Sequence, residues 1–397
     1  MSIISELNNK KILIWGFGRE GQSTKYFLER NCPAAEVEVF EGKKEDIPEY
    51  KYDLIIKSPG IVMPEDDPKY TSQTELFLSE FRDQVIGITG TKGKSTTSAM
   101  LYHALSQLSD RNVIFLGNIG EPCLNYFEEI TEDTIIVFEM SCHQLAHVDV
   151  SPHIAVFLNL YEEHLDYYGT LEKYFQAKTN ITKYQKSGDR FYKGDNVPEI
   201  ATAATTEVIK RDVIRNYDLP ISGEHNSFNA EFVIRIISDN FGFSKEEILD
   251  SLKTFKGLPH RLEFAGEKDG VSYYDDSIST IPQATIEAIS SLPNVKTVLI
   301  GGMDRGIDYT ILENFINEHD EYNYIFSYDS GKRIYDAING GENCYYTDDL
   351  EKAVELAKQI TPAGSSCVLS PASASYGYFK NFEHRGEMFK EYVGVDG

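Results

Sequence analysis

The chain has 397 residues, 41% of them hydrophobic and 25% charged, a balance that suits a globular protein of two or three domains. Its 63 acidic residues against 38 basic ones give a net charge of −25. That argues against a nucleic-acid partner, because phosphate backbones are met by basic surfaces. A local cluster of Lys, Arg and backbone N–H groups can still hold the phosphates of a small ligand inside an acidic protein. The five cysteines show no CxxC spacing, so neither a zinc site nor a disulfide framework is expected. The start of the chain lacks a signal-peptide pattern, and no apolar run approaches ~18 residues. A cytoplasmic protein without a membrane segment is expected.

In chain order, Lys11 to Trp15 reads as a buried strand, followed by Gly16-Phe17-Gly18-Arg19-Glu20-Gly21 and a helical stretch near 22–30. Val37 to Phe40 and Leu54 to Ile56 add two strands. A second block opens with a strand at Val85 to Thr89, a glycine loop and a helix from Ser95, whose Ala99, Met100, Leu101, Ala104, Leu105 and Leu108 form an apolar stripe. Thr134 to Phe138 and Ile154 to Leu158 continue the alternation, and 185–222 reads as sparse. A third block begins around Gly257-Leu258-Pro259, with strands near Val271 to Tyr274, Thr297 to Ile300, Tyr324 to Phe326 and Cys367 to Leu369. Alternating strands and helices predict doubly wound parallel sheets. Boundaries are expected near 84 and 258, giving blocks 1–84, 85–257 and 258–397.

The segment Gly90-Thr91-Lys92-Gly93-Lys94-Ser95-Thr96 carries the clearest chemistry. A strand, a glycine loop and a helix N-terminus aim N–H groups at phosphate oxygens. Lys94 can reach the terminal phosphates and Ser95 can put a hydroxyl on Mg²⁺. Ile88 stands where the strict consensus wants the first glycine, so the loop is a variant. A rival lies at Gly16-x-Gly18-x-x-Gly21, with Glu41 downstream, which satisfies a dinucleotide fingerprint. No hydride-transfer machinery accompanies it. The same geometry serves any nucleotide diphosphate, with Ser58-Pro59-Gly60 as a second phosphate-facing turn.

These motifs, with Gly-Asn-Ile-Gly (117–120), Glu-Met-Ser-Cys-His-Gln-Leu (139–145), Asn-Leu-Tyr-Glu-Glu-His-Leu-Asp (159–166), Tyr174-x-x-x-Lys178, Gly-Glu-His-Asn-Ser-Phe-Asn (223–229), Leu-Pro-His-Arg (258–261), Asp-Asp-Ser (275–277), Leu-Ser-Pro-Ala-Ser-Ala-Ser (369–375) and Phe379-Lys-Asn-Phe382, resemble the Mur ligases of peptidoglycan synthesis. The resemblance runs from about residue 11 to 393, and it is nearest to the glutamate-adding branch. It implies a three-domain α/β enzyme: a Rossmann-like N-terminal domain for the UDP-substrate, a central P-loop ATPase-like domain and a Rossmann-like C-terminal domain for the amino acid. The implied reaction is ATP-dependent joining of D-glutamate to UDP-N-acetylmuramoyl-L-alanine through an acyl phosphate, in a monomeric protein.

By the same resemblance, ATP is held by Gly90, Thr91, Gly93, Lys94, Ser95, Thr96, Asn226, Asn229, His260, Arg261 and Asp276. Two Mg²⁺ ions are implied at Ser95, Glu139, His164 and Lys178, the last as a carbamylated lysine. From the residues alone, Lys178 reads as a solvated lysine on an amphipathic helix. Lys94, Glu139, His164 and Lys178 form the implied catalytic set. Gly18, Arg19, Ser58, Pro59, Gly60 and Asn118 match the UDP-substrate end, and Thr280, Arg305, Ser375 and Phe382 the amino-acid end. Pro259 at the third block's start suggests a hinge. The chain departs from the family at Asp275-Asp276-Ser277-Ile278-Ser279-Thr280-Ile281, where Asn-Asp-Ser-Lys-Ala-Thr-Asn is typical. Ile278 thus replaces a lysine, for which Arg305 is the expected compensator. Alternatives are L-glutamate as acceptor, a folylpolyglutamate-synthetase-like ligase, an NAD-dependent dehydrogenase using the first glycine loop, and a non-catalytic nucleotide-binding regulator.

Overall fold

Short apolar runs that alternate with helices along the chain become the central strands of parallel sheets here, where both their faces are buried. The computed structural model describes residues 2–62, 67–118, 121–163, 165–211, 217–221, 224–338 and 341–395. The chain forms two units, Met1–Phe255 and Lys256–Gly397.

The first unit holds two sheets. β1 (Lys11–Trp15), β2 (Glu36–Phe40), β3 (Leu54–Lys57) and β4 (Tyr70–Ser72) pair in the order β2-β1-β3-β4, all parallel. β5 (Val85–Thr89), β6 (Val113–Gly117), β7 (Ile135–Glu139), β8 (Ile154–Phe157), β9 (Arg190–Gly194) and β10 (Thr205–Ile209) pair in the order β10-β9-β8-β5-β7-β6, also parallel. β5 lies inside this sheet and is buried throughout, so the loop that follows it leaves from a rigid base. The stretch 185–222, sparse in sequence, contains β9 and β10. β10 is an edge strand with the polar sequence Thr-Thr-Glu-Val-Ile, mostly exposed, which is why no apolar signal marks it.

The two sheets share one apolar core. Ile12, Ile14, Phe27 and Phe77 from the first layer join Leu116, Phe138 and Phe157 from the second. Phe77, on the helix Gln73–Phe81, meets Phe138 edge-on at 5.7 Å. Gln73 heads that helix and ties the layers with polar contacts. Its amide donates to Ser23 Oγ and Thr24 Oγ1, both at 3.0 Å, and its Oε1 accepts from Cys123 Sγ at 3.5 Å.

The second unit holds β11 (Glu263–Lys268), β12 (Val271–Asp275), β13 (Val295–Ile300), β14 (Asn323–Ser327), β15 (Cys344–Thr347) and β16 (Ser366–Leu369), in the order β11-β12-β16-β13-β14-β15. β11 runs antiparallel to β12 and the rest are parallel. Alternate side chains serve opposite faces. Leu299 and Ile325 pack with Val354 and Phe389, while Val298, Ile300 and Phe326 pack with Leu312 and Ile334. Among the described residues, no helix is long and apolar enough to cross a membrane.

Phe77→Ala removes the ring that joins the two layers of the first unit, and is expected to cost ~3–5 kcal/mol of stability. Urea unfolding measures it, and a loss under ~1 kcal/mol would show that the layers do not depend on this contact.

Candidate active site

β5 delivers the phosphate loop. Gly90 and Gly93 have φ of 158° and 83°, backbone that side-chain-bearing residues rarely adopt. A Cβ on Gly93 would stand 2.7 Å from Asn229 Oδ1, so the helix Glu224–Phe241 approaches the loop directly. Asn226 and Asn229 lie in the first turns of that helix, one turn apart, and Asn229 Nδ2 reaches Asn226 Oδ1 at 3.5 Å. Asn159, just beyond β8, clamps the loop from the other side. Its Oδ1 accepts from Lys92 N at 2.8 Å and its Nδ2 donates to Lys92 O at 2.9 Å. Thr91 N donates to Asn159 O at 2.9 Å, and Tyr161 N donates to Thr91 Oγ1 at 3.0 Å. Asn159 was not among the expected site residues, although its motif was recognised. A residue that shapes a loop through its backbone leaves no chemical signature of its own.

Lys94 opens the helix Lys94–Leu108, and its ammonium donates to Gly90 O and Thr91 O, both at 2.9 Å. Lys178, on the helix Leu171–Lys183, comes to the same point. It is 1% exposed and donates to Gly90 O at 2.9 Å and Thr89 Oγ1 at 3.3 Å. The Tyr174 ring lies 4.7 Å from its nitrogen, and the Tyr174 hydroxyl donates to Thr91 Oγ1 at 3.3 Å. This corrects the reading from residues alone: Lys178 is buried under the phosphate loop and is not a solvated helix lysine. Burial first, and the neighbouring Lys94 charge second, pull its pKa from 10.5 down to about 7.

Glu139 ends β7, one strand over from β5, and is fully buried. Asn118 Nδ2 donates to its Oε1 at 2.8 Å, and Oε2 has no hydrogen-bond partner among the described residues. A buried carboxylate oxygen left without a partner is a ready place for a cation. Ser95 and Thr91 are buried beside the loop, and Thr96 is half-buried. His164 lies outside the described residues.

At the first glycine loop, the Ser58 hydroxyl donates to Gly16 O at 3.1 Å, so the loop after β1 and the Ser58-Pro59-Gly60 turn after β3 meet. A Cβ on Gly18 or on Gly60 would meet nothing within 4 Å, so open space lies beside both. Arg19 is exposed and pairs with Glu121 at 3.7 Å. Glu20 and Lys57, neither of them expected, sit behind this loop. Glu20 Oε1 accepts from Gln144 Nε2 at 2.8 Å, its Oε2 is buried without a partner among the described residues, and burial raises its pKa. Burial lowers Lys57 to about 8, with the Glu20 charge opposing.

In the second unit the expected residues gather at the carboxyl ends of β12, β13 and β16, where open α/β sheets bind ligands. Asp276 is buried, accepts from Leu262 N at 3.2 Å and Ser370 Oγ at 2.8 Å, and is pushed up to about 6 by burial. Arg261 is exposed. Arg305 reaches Thr280 O at 3.4 Å, which brings these two expected amino-acid residues together. Ser277 Oγ donates to Phe382 O at 2.8 Å, and Ser375 is buried with its carbonyl accepting from Phe379 N at 3.0 Å.

A family model described as the Mur ligase middle domain matches residues 88–232. The chain is 31% identical to the UDP-N-acetylmuramoyl-L-alanine--L-glutamate ligase of Salinispora tropica, over 98% of each protein. It is 32% identical to the UDP-N-acetylmuramoylalanine--D-glutamate ligase of Aquifex aeolicus, over 97% of this chain and 99% of that protein. The chain belongs to the Mur ligase family. Among solved structures, MurF ligase from Thermotoga maritima in complex with ADP shares the fold, with a TM-score of 0.61, 17% identity, and coverage of 99% of this chain and 97% of that one.

Mur ligases are ATP-dependent amide-bond-forming enzymes, and the loop, Lys94, Lys178 and Glu139 lie within or beside the matched span. The Lys178 amine gives a direct test of this geometry. Unfolded, it keeps its proton up to 10.5; folded, it loses it near about 7. Between those values the unfolded chain binds more protons, so stability rises with pH, and the penalty for burying the amine is complete below about 7. In CO₂-depleted buffer, wild type should gain on Lys178→Met by at most ~1.4 kcal/mol per pH unit from pH 7 upward. Urea unfolding at three pH values measures this, and a flat difference would contradict the depressed pKa.

Proposed function

We propose that this Mur ligase joins glutamate to UDP-N-acetylmuramoyl-L-alanine using ATP, as a cytoplasmic step of peptidoglycan synthesis. The observation that carries the reading is the meeting of Lys94 and Lys178 on the Gly90 carbonyl, next to the open Glu139 oxygen. The alanyl carboxylate attacks the γ-phosphorus of ATP, and the bond to the leaving ADP oxygen breaks. The amine of glutamate then attacks the acyl carbon, loses a proton and releases inorganic phosphate. Such chemistry needs positioning and charge neutralisation more than a protein nucleophile. Lys94 turns from its loop carbonyls to the γ-phosphate.

Lys178 suits a carbamate because an amine that is half neutral near pH 7 can attack CO₂, forming N–CO₂⁻ and releasing a proton. The product is an acceptor where an ammonium could only donate. Ser95, Glu139, carbamylated Lys178 and His164 would hold two Mg²⁺ ions, which supply charge neutralisation on the phosphates. Asn226, Asn229, His260, Arg261 and Asp276 are assigned to the nucleotide. Gly18, Arg19, Ser58 to Gly60 and Asn118 are assigned to the UDP-substrate, with Asn118 also orienting Glu139. Thr280, Arg305, Ser375 and Phe382 are assigned to glutamate. The matching division is a UDP-substrate domain 1–84, an ATP domain 85–257 and an amino-acid domain 258–397.

D-glutamate is the acceptor we favour, on the Ser375 and Phe382 matches. L-glutamate is a second reading, supported by the name of the Salinispora tropica relative and by Ile278 in place of the family lysine. Phosphate release with UDP-N-acetylmuramoyl-L-alanine and each enantiomer decides: at least ~10-fold in kcat/KM is expected for one, the scale of one charged hydrogen bond. Use of neither would end the acceptor assignment.

Lys94→Ala is expected to lower kcat by ~10²–10³ with the fold intact, and near-normal turnover would sink the loop assignment. Lys178→Ala should be nearly inactive and partly restored by acetate or formate. Full activity without rescue would exclude the carbamate.

A further inference from the structure

His260 sits at a backbone φ of 61°, which side-chain-bearing residues rarely adopt, and it is buried. Three of its polar groups are engaged. Its N–H donates to Glu263 Oε2 at 2.7 Å, and its carbonyl accepts from Ile278 N at 3.1 Å. Its ring Nδ1 lies 2.7 Å from Asp275 Oδ2. Asp275 is itself fixed, because its other oxygen accepts from Ser277 N at 2.9 Å. Nε2 is the one polar atom of His260 without a hydrogen bond among the described residues.

The pair is also pressed from one side. Gly386 lies inside the helix Phe382–Val393, and a Cβ there would come 2.2 Å from His260 Nδ1 and 2.3 Å from Asp275 Oδ2. A helix interior disfavours glycine, so this close approach explains its presence. His260, Glu263 and Asp275 offer three ligand atoms within 4.8 Å of one another, which suggests a metal site. Lys390 already answers that charge, at 2.7 Å from Glu263 Oε1 and 3.8 Å from Asp275 Oδ2.

We propose that Asp275 is a positioning residue that accepts a hydrogen bond from Nδ1–H of His260 and so presents Nε2, as an acceptor, to a ribose hydroxyl of the nucleotide, with Gly386 kept small to admit the pair. The proposal rests on the assignment of His260 to the nucleotide and adds to it. The family pattern typically has Asn at position 275, which also offers an acceptor oxygen but no charge. A residue clamped at N–H, C=O and Nδ1, in a strained backbone conformation, is over-determined in the way that functional positions are. An ordering of the ring by a partner that itself touches no ligand is the logic of a supporting hydrogen bond.

The test uses the full-length enzyme. Steady-state kinetics with varied ATP is combined with ¹⁵N–¹H correlation of the histidine rings in the nucleotide-free protein. Asp275→Ala is expected to raise the KM for ATP about tenfold, to change kcat less, and to shift His260 from the Nδ1–H tautomer towards a mixture. Asp275→Asn should stay within about threefold of wild type, because the acceptor oxygen returns. His260→Ala should raise the same KM, and the double variant should be no worse than His260→Ala alone, since one residue acts through the other. Gly386→Ala should displace the pair and reproduce the tautomer shift, and it serves as the readout if Asp275→Ala does not fold. A wild-type KM in His260→Ala would overturn the nucleotide assignment of His260. A raised KM there, with wild-type KM and tautomer in Asp275→Ala or Gly386→Ala, would overturn the positioning role alone.

Discussion

One carbonyl oxygen organises the centre of the first unit. Gly90 O accepts from Lys94 and from Lys178 at 2.9 Å each, so two amines from different helices converge on a single acceptor. Two full charges that close repel, and one of them is buried, so the arrangement is tolerable only if one amine gives up its proton readily. Lys178 is that amine, because it has lost its water while Lys94 keeps partial access. The loop conformation follows from the same need. Gly90 must turn its carbonyl into the space between the helices, and a φ of 158° lets it do so. Asn159 then fixes the next residues, holding Lys92 at both its N–H and C=O.

The sheet supplies the rest of the geometry without further strain. β5 lies between β7 and β8, so the loop leaves the strand with Glu139 at the end of one neighbour and Asn159 just past the other. Acid, lysines and loop meet because three adjacent parallel strands end together. The second unit repeats the plan at the ends of β12, β16 and β13, with Asp275 and Asp276, Ser370 to Ser375 and Gly301 to Met303 emerging side by side. There, too, the buried charges are answered locally: Asp275 by His260 and Lys390, Asp276 by Ser370 and a backbone N–H.

Most of this was legible where sequence pattern and burial agree. β1, β3, β5, β7, β8, β12, β13, β14 and β16 are apolar runs inside sheets, and their positions follow from composition alone. β6 carries the apolar run Val-Ile-Phe-Leu and went unread all the same, while β10 and β15 lie at sheet edges, β11 is half-exposed and β4 has three residues, so these four carry no continuous apolar signal. The phosphate loop was legible because its spacing is itself the chemistry. Lys178 was not: on an amphipathic helix a lysine normally faces water, and only the tertiary fold shows that this one lies under the loop. Asn226 and Asn229 sit one turn apart within a helix, where both face the same direction. Asn159, Glu20 and Lys57 escaped notice because each acts through a contact with a residue far away in sequence.

Those contacts bear on how the first unit holds its shape. Glu20 and Lys57 are costly to bury, and burial moves both towards neutrality, Glu20 upward and Lys57 down to about 8. Apolar residues of similar size would pack there at lower cost, since a buried ionisable group must give up its water. What Glu20 adds is specificity of contact. Glu20 lies at the start of the helix after the first glycine loop, and its bond to Gln144 joins that loop to the Glu-Met-Ser-Cys-His-Gln-Leu segment following β7. Gln144 is fixed in turn by a capping box with Ser141, two residues beyond Glu139. A polar line therefore runs from the loop assigned to the UDP-substrate to the acid assigned to the metal. The aromatic core of Phe77 and Phe138 holds the two sheets together, and the Glu20–Gln144 hydrogen bond joins them again at the end where the chemistry lies.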